Sequence, residues 1–278
     1  MKRFLSLGAG VQSSVILLMS EQGELPKLDA AIFADTHDEP DAVYEWLTWL
    51  QEQCSTPIIV CGRDIEIAED VTGRVRDGRR LDKPPFFTKA ADGKYSICNR
   101  DCTREWKVKQ IEKATRKLIG LKPKQRWPKS LTVETWIGIS WDEKQRAKVA
   151  TQSWQRFWHP LIEQPWTSDT HPMWLQRPFT RLMCLDWMRG KGLPEPPRSA
   201  CWHCPFRSNE HWRILRDNEP DKWHQAIEFD RELRANGNIH GMRQEVYLHR
   251  SLKPLDEAPI EETNGTLFDN ECAGVCGV

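Results

Sequence analysis

The strongest constraint on the fold of this chain is its opening run, RFLSLGAGVQSSVILLMSEQG. A short apolar stretch passes through Gly8 and Gly10 into a helical segment closed by Gly23. LDAAIFAD then reads as a second buried strand and TPIIVCG as a third. Between them EPDAVYEWLTWLQEQC has helical spacing, with Pro40 suited to an early helical position. Strands separated by helices of this length predict an α/β fold with an open, mostly parallel sheet, right-handed crossovers and helices on both faces.

Beyond the third strand the pattern loosens. Arg63 to Tyr95 is polar and rich in Gly and Pro, which predicts a loop or lid. CTREWKVKQIEKATRKLIG reads as a helix and VETWIGIS as a fourth strand, followed by a loop carrying Trp154 and Trp158. TRLMCLDWMRGKGL predicts a helix ending at glycines. Two more helices follow, split near Pro220, the first capped by Ser208 or Asn209. After about residue 250 the chain is acidic and loop-like. The expected organisation is a nucleotide-binding domain over 1–250 and a tail over 251–278.

The charges balance, with 40 Lys and Arg against 40 Asp and Glu. That argues against a wholly basic nucleic-acid binder but leaves room for a local patch. No apolar run approaches a membrane span, and Ser and Gly break the N-terminus before a signal-peptide core forms. The expectation is a cytoplasmic protein without a membrane partner. Nine cysteines are many for such a chain, and a reducing compartment disfavours a disulfide framework. Six of them fall in close pairs, Cys98 with Cys102, Cys201 with Cys204 and Cys272 with Cys276, a pattern of metal, cluster or redox chemistry. Cys184 reads as a small buried hydrophobe.

The first loop reads as a phosphate cradle. Gly8, Ala9 and Gly10 let an anion approach the backbone, and the helix start offers unpaired N–H groups. Ser6, Gln12, Ser13 and Ser14 add side-chain polar groups around it. The Gly-Lys-Ser/Thr ending of a Walker A loop and the third glycine of the dinucleotide fingerprint are both missing. Asp35 and Thr36 close the second strand, where a carboxylate and a hydroxyl can read a ribose or an adenine, or hold magnesium on phosphates. Asp38 and Glu39 read as charges at the start of the next helix.

These segments resemble the adenine nucleotide alpha-hydrolase group, specifically its phosphoadenylyl-sulfate (PAPS) reductase family. GAGVQSS stands where that group has its Ser-Gly-Gly-x-Asp-Ser pyrophosphate loop, with Gly8 for the serine and Gln12 for the aspartate. FADTHDEPDAVYEWL is similar to its second-strand Asp-Thr segment, and FWHPLIEQ to the segment leading to its later helix. WIGISWDEKQRAK is similar to its arginine segment, which implies that Arg146 binds an anion. The resemblance implies a Rossmann-like nucleotide domain binding PAPS or ATP.

Cys98, Cys102, Cys201 and Cys204 together offer four thiolates. Their spacing alone fits structural zinc and a [4Fe–4S] cluster equally. The resemblance favours the cluster, because cluster-bearing members of the family supply thiolates from two such segments. Glu271, Cys272, Ala273 and Gly274 are similar to the Glu-Cys-Gly tail that carries the family's nucleophile. This implies that Cys272 attacks sulfur, with Cys276 resolving the intermediate or ligating a metal.

Residues 100–129 hold 11 Lys or Arg against 3 Asp or Glu. Such a run is either a solvated helix face or a polyanion surface for substrate phosphates, tRNA or DNA. Trp106 and Trp127 could stack bases there, although packing is their commoner use.

The expected activity is therefore reduction of a sulfonucleotide by a cluster-bearing enzyme, with a thioredoxin-like dithiol protein as reductant. One alternative is ATP-dependent sulfur transfer onto tRNA or DNA, which the basic run favours. Another is a non-catalytic, zinc-stapled nucleotide-binding module. An NAD-dependent oxidoreductase would leave three cysteine pairs without a role.

Overall fold

The computed structural model describes residues 1–80, 84–89, 95–163, 178–235 and 244–262. Five strands form one parallel sheet: β1 (Lys2–Leu7), β2 (Ala30–Asp35), β3 (Ile58–Gly62), β6 (Val133–Ile137) and β7 (Gln155–Trp158). Their spatial order is β3-β2-β1-β6-β7. Phe4 pairs with Ala30 on one side of β1 and with Thr135 on the other.

Burial on both faces explains why the strands read as continuous apolar runs. On β1 and β2, Leu5, Leu7, Ala31 and Phe33 point into one core, while Phe4, Ala30, Ile32 and Ala34 point into the other. The first core is roofed by α1 (Val11–Glu21), α2 (Asp41–Gln53) and α5 (Arg181–Gly190). α1 is buried on all sides from Val11 to Ser20, which is why its sequence shows little amphipathic contrast. α2 instead buries a stripe of Val43, Trp46, Leu47 and Leu50. The opposite face is covered by α4 (Lys109–Leu118), through Ile111 and Ala114.

A third core lies beyond the sheet edge. It combines α3 (Ile67–Arg76), α6 (Asn209–Asn218) and α7 (Pro220–Ala235). A small antiparallel sheet, ordered β5-β4-β8, joins them through β4 (Phe87–Lys89), β5 (Tyr95–Ile97) and β8 (Val246–Tyr247). The predicted cap of α6 is Ser208, whose Oγ accepts from His211 N. Leu255 and Ile260 pack into the same core, and Asn209 donates to the carbonyls of Pro259 and Glu262.

Four expectations are corrected here. The polar stretch after Arg63 is not one loop, since it contains α3 and two strands. Ile67, Ala68, Val71 and Val75 form a narrow apolar stripe there, masked in sequence by charged neighbours. The loop expected after the fourth strand includes β7, an edge strand of four residues only partly buried. The fourth strand itself stops at Ile137 rather than Ser140. The helix predicted from Cys102 starts with a π-helical turn over Thr103–Val108 before α4.

Candidate functional site

The chain runs from β1 outward to β2 and β3, then returns to β6 on the other side of β1. Loops leaving β1 and β6 therefore diverge at their carboxyl ends, where open α/β sheets form a ligand crevice.

The loop Gly8–Gly10 sits in that crevice. Ala9 has φ +55°, and α1 begins at Val11 with no side-chain cap on its N-terminus. Ser13 Oγ accepts from Gly8 N at 3.2 Å and donates to Gly10 O at 3.3 Å, so the turn is braced from within. Ser14 is fully buried and its Oγ accepts from Trp46 Nε1 at 2.9 Å, which assigns it to packing rather than to a ligand. Ser6 lies buried at the end of β1.

The β6 loop closes the other wall. A Cβ on Gly138 would stand 2.9 Å from Ser13 N, so only glycine permits this approach. Gln12 Nε2 donates to Glu143 Oε2 at 3.1 Å and to Ser140 Oγ at 3.4 Å. Arg146 Nη1 pairs with the other Glu143 oxygen. Burial raises the Glu143 carboxyl above its ordinary range against the pull of Arg146.

On the β2 side, Asp35 Oδ1 accepts from His37 N at 2.8 Å and from Tyr44 Oη at 2.9 Å. Burial and Asp35 together push the Tyr44 phenol above its usual range. Asp38 and Glu39 differ from the sequence expectation. Both are 0% exposed and neither caps α2. Asp38 Oδ2 accepts from Ala68 N at the start of α3 and from His203 Nε2, each at 2.8 Å. Glu39 Oε1 pairs with Lys107 Nζ at 2.9 Å.

The cysteines lie against these carboxylates. Cys102, Cys201 and Cys204 line one cleft with His203, Arg100 and Lys107. Cys98 packs against the same core. Cys201 Sγ is 3.4 Å from Thr36 Oγ1. Arg207, fully buried, donates to the carbonyls of Ala200 and Cys201 at 2.9 and 3.2 Å. Burial, reinforced by Arg198, lowers its guanidinium to about 10. Cys184 lies elsewhere, fully buried on the inner face of α5, and burial raises its thiol far above the ordinary range.

The phosphate-type loop also approaches the cysteine loop. A Cβ on Gly10 would lie 3.7 Å from Ser199 Cβ, two residues before Cys201. The phosphate-type loop and the cysteine loop thus share a wall.

Against known proteins, no family model and no curated protein matches the chain. Among solved structures it is similar to phosphoadenylyl-sulfate (PAPS) reductase from Candida auris in its phosphate complex. The identity is 14% over 73% of this chain and 82% of that one, with a TM-score of 0.40.

The seven cysteines of the described residues stand as thiols rather than disulfides. Among the described residues, no three His, Cys, Asp or Glu side chains gather around a point where a single ion would sit. Cys272 and Cys276 lie outside the described residues.

Sequence reasoning placed Lys107 among the basic neighbours of the cysteines but missed Asp38, Glu39, His203 and Arg207 as site-forming residues. His203 carried a usable signal, since it stands inside the Cys-x-x-Cys run. Arg207 carried none, because a cation three residues after Cys204 looks like any surface charge until its burial is known. Trp106, a candidate for base stacking, is fully buried beneath the Arg63 guanidinium.

Proposed function

We propose that this chain is a PAPS reductase-like enzyme that binds an adenine nucleotide and reduces its sulfonate, with a [4Fe–4S] cluster held by Cys98, Cys102, Cys201 and Cys204. The observation that carries this reading is the shared wall at Gly10 and Ser199, which sets an anion-binding helix start beside a cleft lined by three thiols. The donor set suits a cluster in kind. A single tetrahedral zinc needs its sulfurs at one point, about 2.3 Å from the metal. Cys102, Cys201 and Cys204 instead line one cleft with Cys98 packed nearby, and these four thiolates would hold a cluster. Arg100 and the buried Arg207 offset the negative charge such a group brings.

Within this reading, the α1 N-terminus and Arg146 hold the nucleotide phosphates. The Cys272 thiolate attacks the sulfonate sulfur, the sulfur–oxygen bond breaks, and the nucleotide leaves with that electron pair. A thiolate of the dithiol reductant then attacks Cys272 sulfur, and sulfite leaves with the electrons of the sulfur–sulfur bond. The reductant's second thiol displaces Cys272 as thiolate and closes the reductant's disulfide. Cys276, four positions further along the sequence, is an internal thiol that could take the first resolving step. The test is sulfite release from a sulfonucleotide. Cys272→Ser should lose turnover and keep nucleotide binding, and full activity in that variant would contradict the tail mechanism.

A second reading keeps the nucleotide and changes the reaction to ATP-dependent sulfur transfer onto tRNA or DNA. Glu143 favours it, because its carboxylate lies on Gln12 and brings an acidic group, and so a magnesium ligand, to a loop that lacks aspartate. Pyrophosphate or AMP release from ATP, dependent on added nucleic acid, separates this reaction from the first.

A further inference from the structure

We propose that the surface formed by the second half of α4 and the loop from Ile119 to β6 docks nucleic acid through the phosphate backbone of a duplex or folded strand, without reading bases. The inference stands on the surface itself and does not depend on which reaction occurs at the cleft.

The structure divides the basic run in two. Its first part belongs to the site: Lys107 is buried on Glu39, and Lys109 is paired with Glu105 at 2.5 Å. Its second part is different. Lys113, Lys117, Lys122, Lys124, Arg126 and Lys129 are all exposed. None of these six forms an ion pair among the described residues. This part contains no acidic residue, and Glu112 just before it is half-buried. A chain of zero net charge thus concentrates six uncompensated cations in 17 consecutive positions, 113 to 129. That arrangement attracts a polyanion and is screened by salt.

The loop is built to hold these cations at fixed spacing. Trp127 stacks on Trp154 with ring centroids 3.9 Å apart, and its Nε1 donates to Leu131 O at 2.7 Å. Arg116 covers Trp127, with 5.8 Å from guanidinium to ring, and bonds the carbonyl of Gln125. Lys122 N donates to Gln125 Oε1 at 2.9 Å. Pro123 and Pro128 stiffen the intervening backbone. These contacts order the backbone that carries the cations, which lowers the entropy cost of binding.

The same contacts exclude base stacking. Trp127 lies between Trp154 and Arg116, and Trp106 is fully buried. Surfaces that hold single strands rely on aromatic platforms for unstacked bases. Cations without such platforms suit the regular phosphates of a helix.

The patch also lies away from the cleft. α4 starts near the cysteine cleft, Lys113 lies about 6 Å along its axis, and the helix end, roughly 15 Å along, leads on to the loop cations and the amino end of β6. A mononucleotide at the cleft would not compete for it.

The test is fluorescence anisotropy of labelled nucleic acids against salt. The probes are a duplex of about 20 base pairs, a folded tRNA and a single strand of the duplex sequence. Duplex and tRNA should bind in the micromolar range at low salt. The log–log salt slope should lie near −5 if about six phosphates are engaged. Lys113→Glu/Lys117→Glu/Lys124→Glu should weaken binding at least tenfold and flatten that slope by about 3, since each lost contact contributes about 0.9. Adenine-nucleotide binding by the same variant should be unchanged. The corresponding Lys→Gln triple keeps the test valid if charge reversal prevents folding. The proposal is overturned by no duplex binding, by a triple variant that binds like the parent, by preference for the single strand, or by binding only to anionic lipid vesicles.

Discussion

Lys107 Nζ lies 2.9 Å from Glu39 Oε1, and neither side chain is more than 7% exposed. The pair links the loop after β2 to the π-helical turn that follows Cys102. Removing one partner leaves a buried charge uncompensated, so Lys107→Met should cost about 3–5 kcal/mol. Adding Glu39→Gln should restore a large part of that loss. Urea unfolding of the two single variants and the double variant measures the coupling, and strictly additive losses would show that the pair is not a unit.

Gly138 allows the β6 loop to meet α1. In Gly138→Ala a methyl would be forced to within 2.9 Å of Ser13 N. The expected loss is about 1–3 kcal/mol, with weaker nucleotide binding because the N-terminus of α1 is displaced. Gly73→Ala is the control: nothing lies within 4 Å of its added methyl, and it sits inside α3. That change should instead stabilise by roughly 0.4–1 kcal/mol. Thermal unfolding with and without ATP separates the two effects.

Arg146 pairs with Glu143 at the edge of the crevice. Arg146→Ala should lower adenine-nucleotide affinity on the order of tenfold to a hundredfold, the range of a lost charged hydrogen bond. Titration calorimetry reads this directly. An unchanged Kd would remove Arg146 from the anion site.

Two histidines, His211 half-buried and His249 buried, set a pH dependence. His211 is held down to about 3 by burial and by Arg198, Arg207 and Arg181, and its Nδ1 accepts from Ser208 and Arg198. His249 is held down to about 4, mainly by burial. Both would titrate near 6.5 in the unfolded chain. Below 6.5 the unfolded state therefore binds protons that the folded state refuses. Their contribution is complete above 6.5 and is lost as pH falls towards 4 and then 3. Urea midpoints across this window should drop with acid, and His211→Gln should flatten the profile.

The nucleotide half of the site was legible in the sequence because it depends on local chemistry. Gly8, Gly10 and the start of α1 declare a strand–turn–helix wherever they occur, and β2 repeats the signal. The cysteine half was legible only as spacing. What orders it is tertiary: Asp38 reaches His203 across 165 positions and Glu39 reaches Lys107 across 68. Read locally, those carboxylates are helix-start charges, and only burial changes their role. The helix α3 was hidden for a related reason, since its apolar stripe is narrow and its partner α7 lies far along the chain.

The claim on which the enzymatic reading rests is the nature of the group held by the four cysteines. Iron, acid-labile sulfide and zinc should be measured on protein purified without oxygen. The expected result is a brown protein with about four irons and four sulfides per chain, and loss of both in Cys201→Ser. One zinc per chain in colourless protein, with no sulfide, would contradict it.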